Sequence, residues 1–188
     1  MSSHLPSAST KNTFPKRLRQ RASRGVTLVE LIVCVSLLAI LVGLAVPSFS
    51  GLLSDWRRDS AISNFTGDLQ LARATALRTS RPVVMCATLD GMACANGAAS
   101  SDWRQGWIVF SDLDGNRALG NAEPVIVFRG PLMGLQQMQS NIPLGQIEFR
   151  PNGLLRRGNA TVNVLTEGAG AQRGMSVVIN ATGRVSLL

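Results

Sequence analysis

The stretch RGVTLVELIVCVSLLAILVGLAVP, residues 24–47, decides how this 188-residue chain is organised. From Val26 to Val46 it holds 21 residues, of which only Glu30 is charged. A helix of that length rises about 30 Å, the thickness of the hydrocarbon core of a bilayer. We therefore expect a transmembrane helix over residues 26–47.

The segment that precedes this helix, residues 1–25, carries six basic side chains and no acidic one. It is rich in serine and has no apolar periodicity, which predicts a disordered segment. Because basic flanks stay on the cytoplasmic side, we expect residues 1–25 in the cytoplasm and the C-terminal part across the membrane. Without this segment the chain has 13 arginines against 11 acidic residues, a net charge of +2.

The composition of the chain after residue 25 limits its chemistry, because it contains no histidine, lysine or tyrosine. That excludes Ser-His-Asp and Cys-His catalysis, HExxH zinc sites and lysine nucleophiles. The sequence also has no P-loop and no GxGxxG motif. We expect a structural or binding protein rather than an enzyme, with no catalytic residue and no cofactor.

The motif RGVTLVE at residues 24–30, followed by an apolar helix and Pro47, resembles the class III signal of type IV pilins and type II secretion pseudopilins. The resemblance implies that a prepilin peptidase cleaves between Gly25 and Val26 and that Val26 is then N-methylated. Glu30 becomes the fifth residue of the mature chain and Pro47 the twenty-second. One difference is Val26 itself, where the family usually has phenylalanine.

Glu30 lies inside the apolar run, where a lone carboxylate needs a partner or a proton. The resemblance implies that its partner is the new α-amine of a neighbouring subunit, and that the pair sets the axial register of stacked subunits. The alternative for this residue is a protonated carboxyl group that is tolerated near the membrane surface.

A secreted soluble protein, cut after Ala45, is the alternative interpretation of the whole segment. Gly43-Leu44-Ala45 supplies the small-x-small pattern of a signal-peptidase site. Two observations argue against it: the apolar run exceeds the roughly 7–15 residues of a signal sequence, and it contains a carboxylate.

Beyond Pro47 the apolar residues recur at spacings of three and four, which predicts an amphipathic helix over residues 48–81. Pro47 can kink the helix without ending it, and Arg81-Pro82 ends it. The predicted buried stripe consists of Phe49, Leu52, Trp56, Ile62, Phe65, Leu69, Ala72 and Ala76.

After residue 82 the period changes to two and β-branched residues become frequent. This pattern predicts strands near 82–89, 106–111, 124–129, 146–150, 161–165, 175–180 and 184–187. Since no helices intervene, we expect an antiparallel sheet, and hence an α+β fold with a β domain over residues 82–188.

The sequence of this β domain also resembles the GspH/FimT group of minor pilins and pseudopilins. The resemblance rests on WRQGWIVFSDLDGN (103–116), IEFRPNG (147–153) and VVINATGRVSLL (177–188), among other stretches. It implies a type IV pilin fold, in which one long helix, half transmembrane and half amphipathic, packs on the β domain. It also implies a low-abundance subunit of a type IV pilus or of a type II secretion pseudopilus, with the inner membrane and other pilin-like subunits as partners. Some members of the group bind DNA during natural transformation.

Two features of the β domain invite a chemical interpretation. Cys86 and Cys94 flank an Asp90-Gly91 turn in an oxidising compartment, which favours a disulfide over two free thiols.

Asp112, Asp114, Asn116 and Glu123 fall at loop positions one, three, five and twelve of a calcium loop. Position six, which needs glycine, is an arginine, so we expect a solvated hairpin turn and no metal.

Arginines dominate the last third of the chain: residues 124–188 hold six of them and two acidic residues. Hairpin folding could gather Arg156, Arg157 and Arg184 into a modest phosphate-binding patch, or merely into a solvated face. Members of the group that bind DNA resemble one another in a terminal Gly-Arg-x-Arg hairpin, whereas this chain has Gly183-Arg184-Val185-Ser186. We therefore expect weak DNA binding that depends strongly on salt.

The mature protein should begin at methylated Val26 and lack the first 25 residues. Intact-mass analysis of the protein extracted from membranes measures this directly. A mature chain that begins at Val46 would show the secretory interpretation to be right and the prepilin interpretation to be wrong.

Overall fold

A computed structural model describes residues 25–166 and 174–188, without the side chains of residues 44–50 and of Pro143. The predicted disordered segment, apart from Gly25, lies outside the described residues, as do the side chains of Pro47 and of Phe49, the first residue of the predicted apolar stripe. The chain divides into two units, Met1–Leu41 and Val42–Leu188. One helix, α1 (Leu28–Thr79), begins in the first unit and ends in the second.

Every side chain of the first unit from Val26 to Leu41 is exposed. The exposed fraction is 75% for Leu28 and 65% for Leu41. In the part of the chain that is described, no helical stretch combines the length and the apolar character that are needed to cross a bilayer.

In the second unit α1 buries most of the predicted apolar stripe, namely Ile62, Phe65, Leu69, Ala72 and Ala76. The helix ends two residues before Arg81-Pro82, close to the predicted end. A proline disfavours helical geometry in the residue before it, which explains why α1 goes no further.

Leu52 and Trp56 do not belong to the buried stripe, so the prediction is wrong for these two residues. They are 66% and 68% exposed, whereas Ser54 and Arg58 are buried in the same turns. Arg58 pairs with Asp55 and Asp59 at 3.0 and 2.9 Å. Periodicity assigns a leucine or tryptophan to the apolar face, but the face that is actually buried depends on which strands reach the helix.

The first sheet, sheet A, has four strands in the order β3-β2-β1-β5, and every adjacent pair is antiparallel. Val84 in its centre lies opposite Phe110 on one side and Glu148 on the other. The strands are β1 (Val83–Ala87), β2 (Trp107–Ser111), β3 (Val125–Arg129) and β5 (Gln146–Phe149).

The second sheet, sheet B, has the order β4-β6-β7-β8 and is also antiparallel. The prediction of antiparallel pairing is confirmed, but the strands form two sheets, and β4 was not predicted. β4 has the sequence LQQMQS, in which glutamines alternate poorly with apolar residues. Its strands are β4 (Leu135–Ser140), β6 (Ala160–Thr166), β7 (Met175–Ile179) and β8 (Val185–Leu187).

Both sheets and α1 share one hydrophobic core. The ring of Phe65 meets the rings of Trp103 and Trp107 edge-on, at centroid distances of 5.1 and 5.5 Å. The opposite face of sheet A carries a smaller apolar cluster around Ile108 and Phe110, which Cys94 and Leu119 cover. Both faces of β1 and β2 are therefore buried.

A buried carboxylate joins the helix to sheet A. Asp68 Oδ2 accepts hydrogen bonds from Trp107 Nε1 at 2.9 Å and from Arg129 Nε at 2.8 Å, and its Oδ1 accepts from Arg129 Nη2 at 3.1 Å. The Asp68 side chain is only 7% exposed. Its hydrogen bonds to Arg129 raise the pKa of that guanidinium group. One residue of α1 thus holds the adjoining ends of β2 and β3.

Replacing Asp68 by alanine should lower the free energy of unfolding by about 2–4 kcal/mol, since it leaves Trp107 Nε1 buried without an acceptor and Arg129 without its ion pair. Urea denaturation of the domain from residue 48 onward measures the change. Ser63→Ala, which removes an exposed hydroxyl group from the same helix, is the matched control and should cost less than about 1 kcal/mol. Equal stabilities of the two variants would contradict this role of Asp68.

Candidate functional site

The peptide bond between Gly25 and Val26 lies in an exposed, non-helical stretch of three residues that directly precedes α1. Val26 itself is 69% exposed. Proteolysis requires a backbone that can enter an enzyme in an extended form, and helical backbone does not meet this requirement. The Gly25–Val26 bond, at which cleavage is predicted, is therefore exposed and lies outside the helix.

Thr27 caps the first turn of α1, a role that our sequence analysis missed. Its Oγ1 accepts a hydrogen bond from the Glu30 backbone N–H at 3.2 Å, and its carbonyl oxygen accepts from the Leu31 N–H at 3.1 Å. The signal that could have revealed this is the T-x-x-E spacing of Thr27 and Glu30, which is typical of a helix N-terminus. The Glu30 side chain is exposed. In the described part of the chain, no ion pair includes it.

Cys86 and Cys94 form the predicted disulfide, with their Cα atoms 5.6 Å apart. Asp90 organises the loop between them, because its Oδ1 accepts hydrogen bonds from the backbone N–H groups of Met92 at 2.8 Å and Ala93 at 3.3 Å. The bond from Met92 is the largest of the contacts that hold the pKa of Asp90 below its usual value. Thr88 Oγ1 donates to the Ala93 carbonyl oxygen at 2.6 Å.

The loop between β2 and β3 brings Asp112, Asp114 and Glu123 together, with carboxylate oxygens within 4.8 Å of one another. Each carboxylate accepts hydrogen bonds from the loop itself. Asp112 accepts from the N–H groups of Gly115 and Arg117, at 2.9 and 3.2 Å. These bonds account for the convergence of the three acids in a hairpin turn.

The prediction of a solvated turn is wrong at Asp112, because this residue is buried. Burial raises its pKa, and the neighbouring carboxylates of Glu123 and Glu148 add to the increase. The turn is therefore solvated at Asp114 but not at its first residue.

The segment of Arg156 and Arg157 lies beside the terminal hairpin of Arg184. The Leu155 N–H donates to the Ala181 carbonyl oxygen at 2.9 Å, and the Ala181 N–H donates to Asn159 Oδ1 at 3.0 Å. The three arginines are exposed, and we call them the basic edge.

Arg156 is not fully available to a ligand, because its Nη1 donates to Glu148 Oε1 at 2.8 Å. The Glu148 side chain is 5% exposed, and this hydrogen bond raises the pKa of Arg156. Within the basic edge, Arg157 and Arg184 can therefore contact a ligand directly, whereas Arg156 already forms an ion pair with a buried carboxylate. Arg173, which belongs to the same arginine-rich third of the sequence, lies outside the described residues.

Two protein-family models match the chain. The model of the type II transport protein GspH matches residues 61–183. The model of the prokaryotic N-terminal methylation motif matches residues 20–46. No curated protein matches the sequence significantly.

Solved structures share the fold. The type IV minor pilin FimU of Pseudomonas aeruginosa (strain PAO1) is 20% identical, with a TM-score of 0.52 over 70% of this chain and 87% of that one. A second crystal form of FimU gives 21% identity and a TM-score of 0.50, over 69% and 91% of the two chains. The minor pseudopilin EpsH of the type 2 secretion system of Vibrio cholerae is 13% identical, with a TM-score of 0.50 over 70% and 96%. These likenesses confirm the predicted pilin fold.

Proposed function

The chain belongs to the family of the type II transport protein GspH, and from this membership we propose that it is made as a prepilin, cleaved between Gly25 and Val26, and methylated on Val26. It is a minor pilin or pseudopilin subunit, which is assembled into a type IV pilus or a type II secretion pseudopilus. Its partners are the prepilin peptidase and the other subunits of that filament.

One observation carries this proposal: an accessible Gly25–Val26 bond lies immediately before a capped, apolar helix whose third residue is Glu30. The methylation-motif match over residues 20–46 supports the same bond. The secretory alternative fits less well, because α1 continues without interruption past Ala45 and that cleavage site would lie inside a helix.

We further propose a single-pass orientation for the precursor. Residues 1–25 lie in the cytoplasm, residues 26–47 anchor the chain in the inner membrane, and the amphipathic segment 48–81 and the β domain 82–188 face the periplasm. The basic leader and the exposed apolar side chains from Val26 to Leu41 support this orientation. The chain has no catalytic activity in this proposal, since the residues after Gly25 include no histidine, lysine or tyrosine.

Glu30→Leu should leave membrane insertion and cleavage intact, because the helix only becomes more apolar. Its incorporation into filaments should fall by about tenfold or more, because the carboxylate that pairs with the neighbouring α-amine is lost. Immunoblots of sheared filaments, normalised to the cleaved membrane pool, measure the effect, and Val29→Leu is the matched control. Wild-type incorporation of the Glu30 variant would mean that the carboxylate plays no part in assembly.

DNA binding is a second candidate function, which the juxtaposition of the two arginine segments at the basic edge favours. The edge offers few free positive charges, because Arg156 is paired with Glu148. The mature chain also attracts DNA only weakly over long distances, because its net charge is only +2. Two or three phosphate contacts give weak binding that is very sensitive to salt. We therefore expect binding at low salt and almost none at physiological salt.

Fluorescence anisotropy with a labelled duplex tests this second function. Affinity should fall by about 10- to 40-fold between 50 and 200 mM salt, as two or three contacts imply. Arg157→Ala and Arg184→Ala should each lower the salt slope by about one unit, whereas Arg78→Ala, on α1, should not. Submicromolar affinity at physiological salt, lost in both edge variants, would make DNA binding the main function.

A further inference from the structure

One face of α1 carries large apolar side chains that the β domain leaves in solvent. Leu52 and Trp56 are 66% and 68% exposed, and Leu53 is 38% exposed. Trp56 is four residues from Leu52 and three from Leu53, so the three side chains share one face of the helix. Ser54 and Arg58, which the domain buries, lie on the opposite side. The apolar residues at the start of the amphipathic segment therefore face away from the core.

The turn between β3 and β4 adds a fourth apolar group to this face. Met133 is 82% exposed, and it lines a shallow depression together with Trp56 and Arg57. The turn lies against Arg57, since a Cβ atom on Gly134 would come within 2.5 Å of Nη1. Contiguous apolar groups that a fold leaves exposed mark interaction sites. We call the following set the Trp56 surface: Leu52, Leu53, Trp56, Arg57 and Met133.

The character of this helix face changes in one direction along α1. It begins with two leucines, continues one turn later with Trp56 and Arg57, and then becomes polar and uncharged with Ser60, Ser63 and Asn64. Tryptophan and arginine combine an apolar body with a polar tip, and they are frequent where hydrocarbon meets water. The order apolar, amphipathic, polar is thus the order that a face needs when it passes from a bilayer surface into water. A contact with a folded protein requires no such order.

The Trp56 surface lies close to the end of the proposed membrane anchor. Within the second unit α1 runs without interruption from Val42 to Trp56. Leu52 follows Pro47 by five residues and Trp56 follows it by nine, which is about 8 and 14 Å along the helix axis. The headgroup layer extends about 5–8 Å beyond the hydrocarbon core. The backbone of Leu52 therefore lies at the outer boundary of this layer, and that of Trp56 lies beyond it.

Two geometric effects bring the indole of Trp56 back to the headgroup layer. Side chains of a helix point toward its N-terminus, which is the membrane side here, so the ring lies nearer the bilayer than its own Cα atom. Membrane helices also tilt by about 20° on average. A tilt toward this face lowers both Trp56 and Met133 onto the membrane surface.

Arg57 provides a charge that suits a phospholipid surface. Its side chain is exposed, and among the described residues no carboxylate forms an ion pair with it. The two acidic side chains of the same turns, Asp55 and Asp59, are both paired with Arg58. A guanidinium group binds phosphate oxygens through two parallel hydrogen bonds. Lipid phosphates beside the Trp56 surface therefore meet a cation rather than an uncompensated acid.

We propose that the Trp56 surface binds the headgroup layer of the membrane in which the subunit is anchored, with Arg57 on a lipid phosphate. This inference rests on the proposed function, because it requires the anchor at residues 26–47. Burial of the apolar side chains provides most of the affinity, and the phosphate contact orients the domain. The β domain is thereby held against the bilayer before assembly, and entry into a filament requires this contact to be released.

Brominated phospholipids test the proposal with the complete mature chain. The protein is extracted from membranes and reconstituted into vesicles of phosphatidylethanolamine and phosphatidylglycerol, with or without bromine on the upper acyl chains. Bromine quenches indole fluorescence only near contact. Trp103 and Trp107 are fully buried in the core, so that Trp56 is the one tryptophan of three that can report the contact. We expect the quenched fraction to be about threefold or more above that of the Trp56→Phe variant.

Variants of the surrounding residues examine the chemistry of the contact. Leu53→Ser and Met133→Ser should each lower the quenched fraction about twofold or more, whereas Met92→Ser, at a 78% exposed residue outside the Trp56 surface, should leave it unchanged. Arg57→Gln should lower it by a similar factor, and Arg157→Gln, at an exposed arginine of the basic edge, is its matched control. Thermal unfolding of each variant separates a lost contact from a lost fold.

The outcomes distinguish this inference from the proposed function. If the wild-type protein stays in the vesicles after an alkaline wash but is quenched no more than Trp56→Phe, the membrane contact is wrong and the function stands. Quenching that Leu53→Ser, Met133→Ser and Arg57→Gln leave unchanged in folded protein would also overturn the contact. So would protection of Trp56 from aqueous iodide only in assembled filaments, which would assign the surface to a neighbouring subunit. Removal of the wild-type protein from membranes by the alkaline wash would overturn the anchor and, with it, both the proposed function and this inference.

Discussion

The carboxylate of Asp68 is the point on which the rest of the domain depends. It lies one turn after Phe65, whose ring packs against both core tryptophans, and its two oxygens hold Trp107 and Arg129. A buried ion is tolerated only when its hydrogen bonds are satisfied, so this arrangement ties the end of sheet A that carries Trp107 and Arg129 to the helix. With that end of the sheet held, the adjacent disulfide loop and the outer strand β3 also acquire fixed places.

The periodic elements of this fold could be predicted from the sequence, and the pairings could not. Spacings of three and four located α1, and alternation located seven of the eight strands. β4 was missed because glutamine has no strong strand preference and its two buried residues, Leu135 and Met138, are three positions apart. The division into two sheets depends on contacts between distant segments, such as Val84 with Glu148, which no local pattern encodes.

The site residues also divide into those that the local sequence predicts and those whose position depends on the fold. The spacing of Cys86 and Cys94 around a turn predicted their bridge, because the two partners are close in sequence. The neighbourhood of Arg156 and Arg184 depends instead on hydrogen bonds between distant segments, from the Leu155 N–H to Ala181 and from the Ala181 N–H to Asn159. The exposure of Trp56 was predicted wrongly because amphipathic spacing identifies an apolar residue without identifying what packs against it. The buried position of Asp112 depends on the fold around its loop, which the acidic motif alone does not reveal.

The strand order of sheet A has a consequence for the time course of folding. β1 is the first strand of the domain, yet one of its two neighbours, β5, follows about sixty residues later in the chain. Contacts between segments so far apart form slowly, because the intervening chain must first be ordered. The Cys86–Cys94 loop spans only eight positions and closes by local diffusion. The two cysteines can thus come together before the sheet that they border is complete, whereas the covalent bridge forms more slowly, because its formation depends on an oxidant.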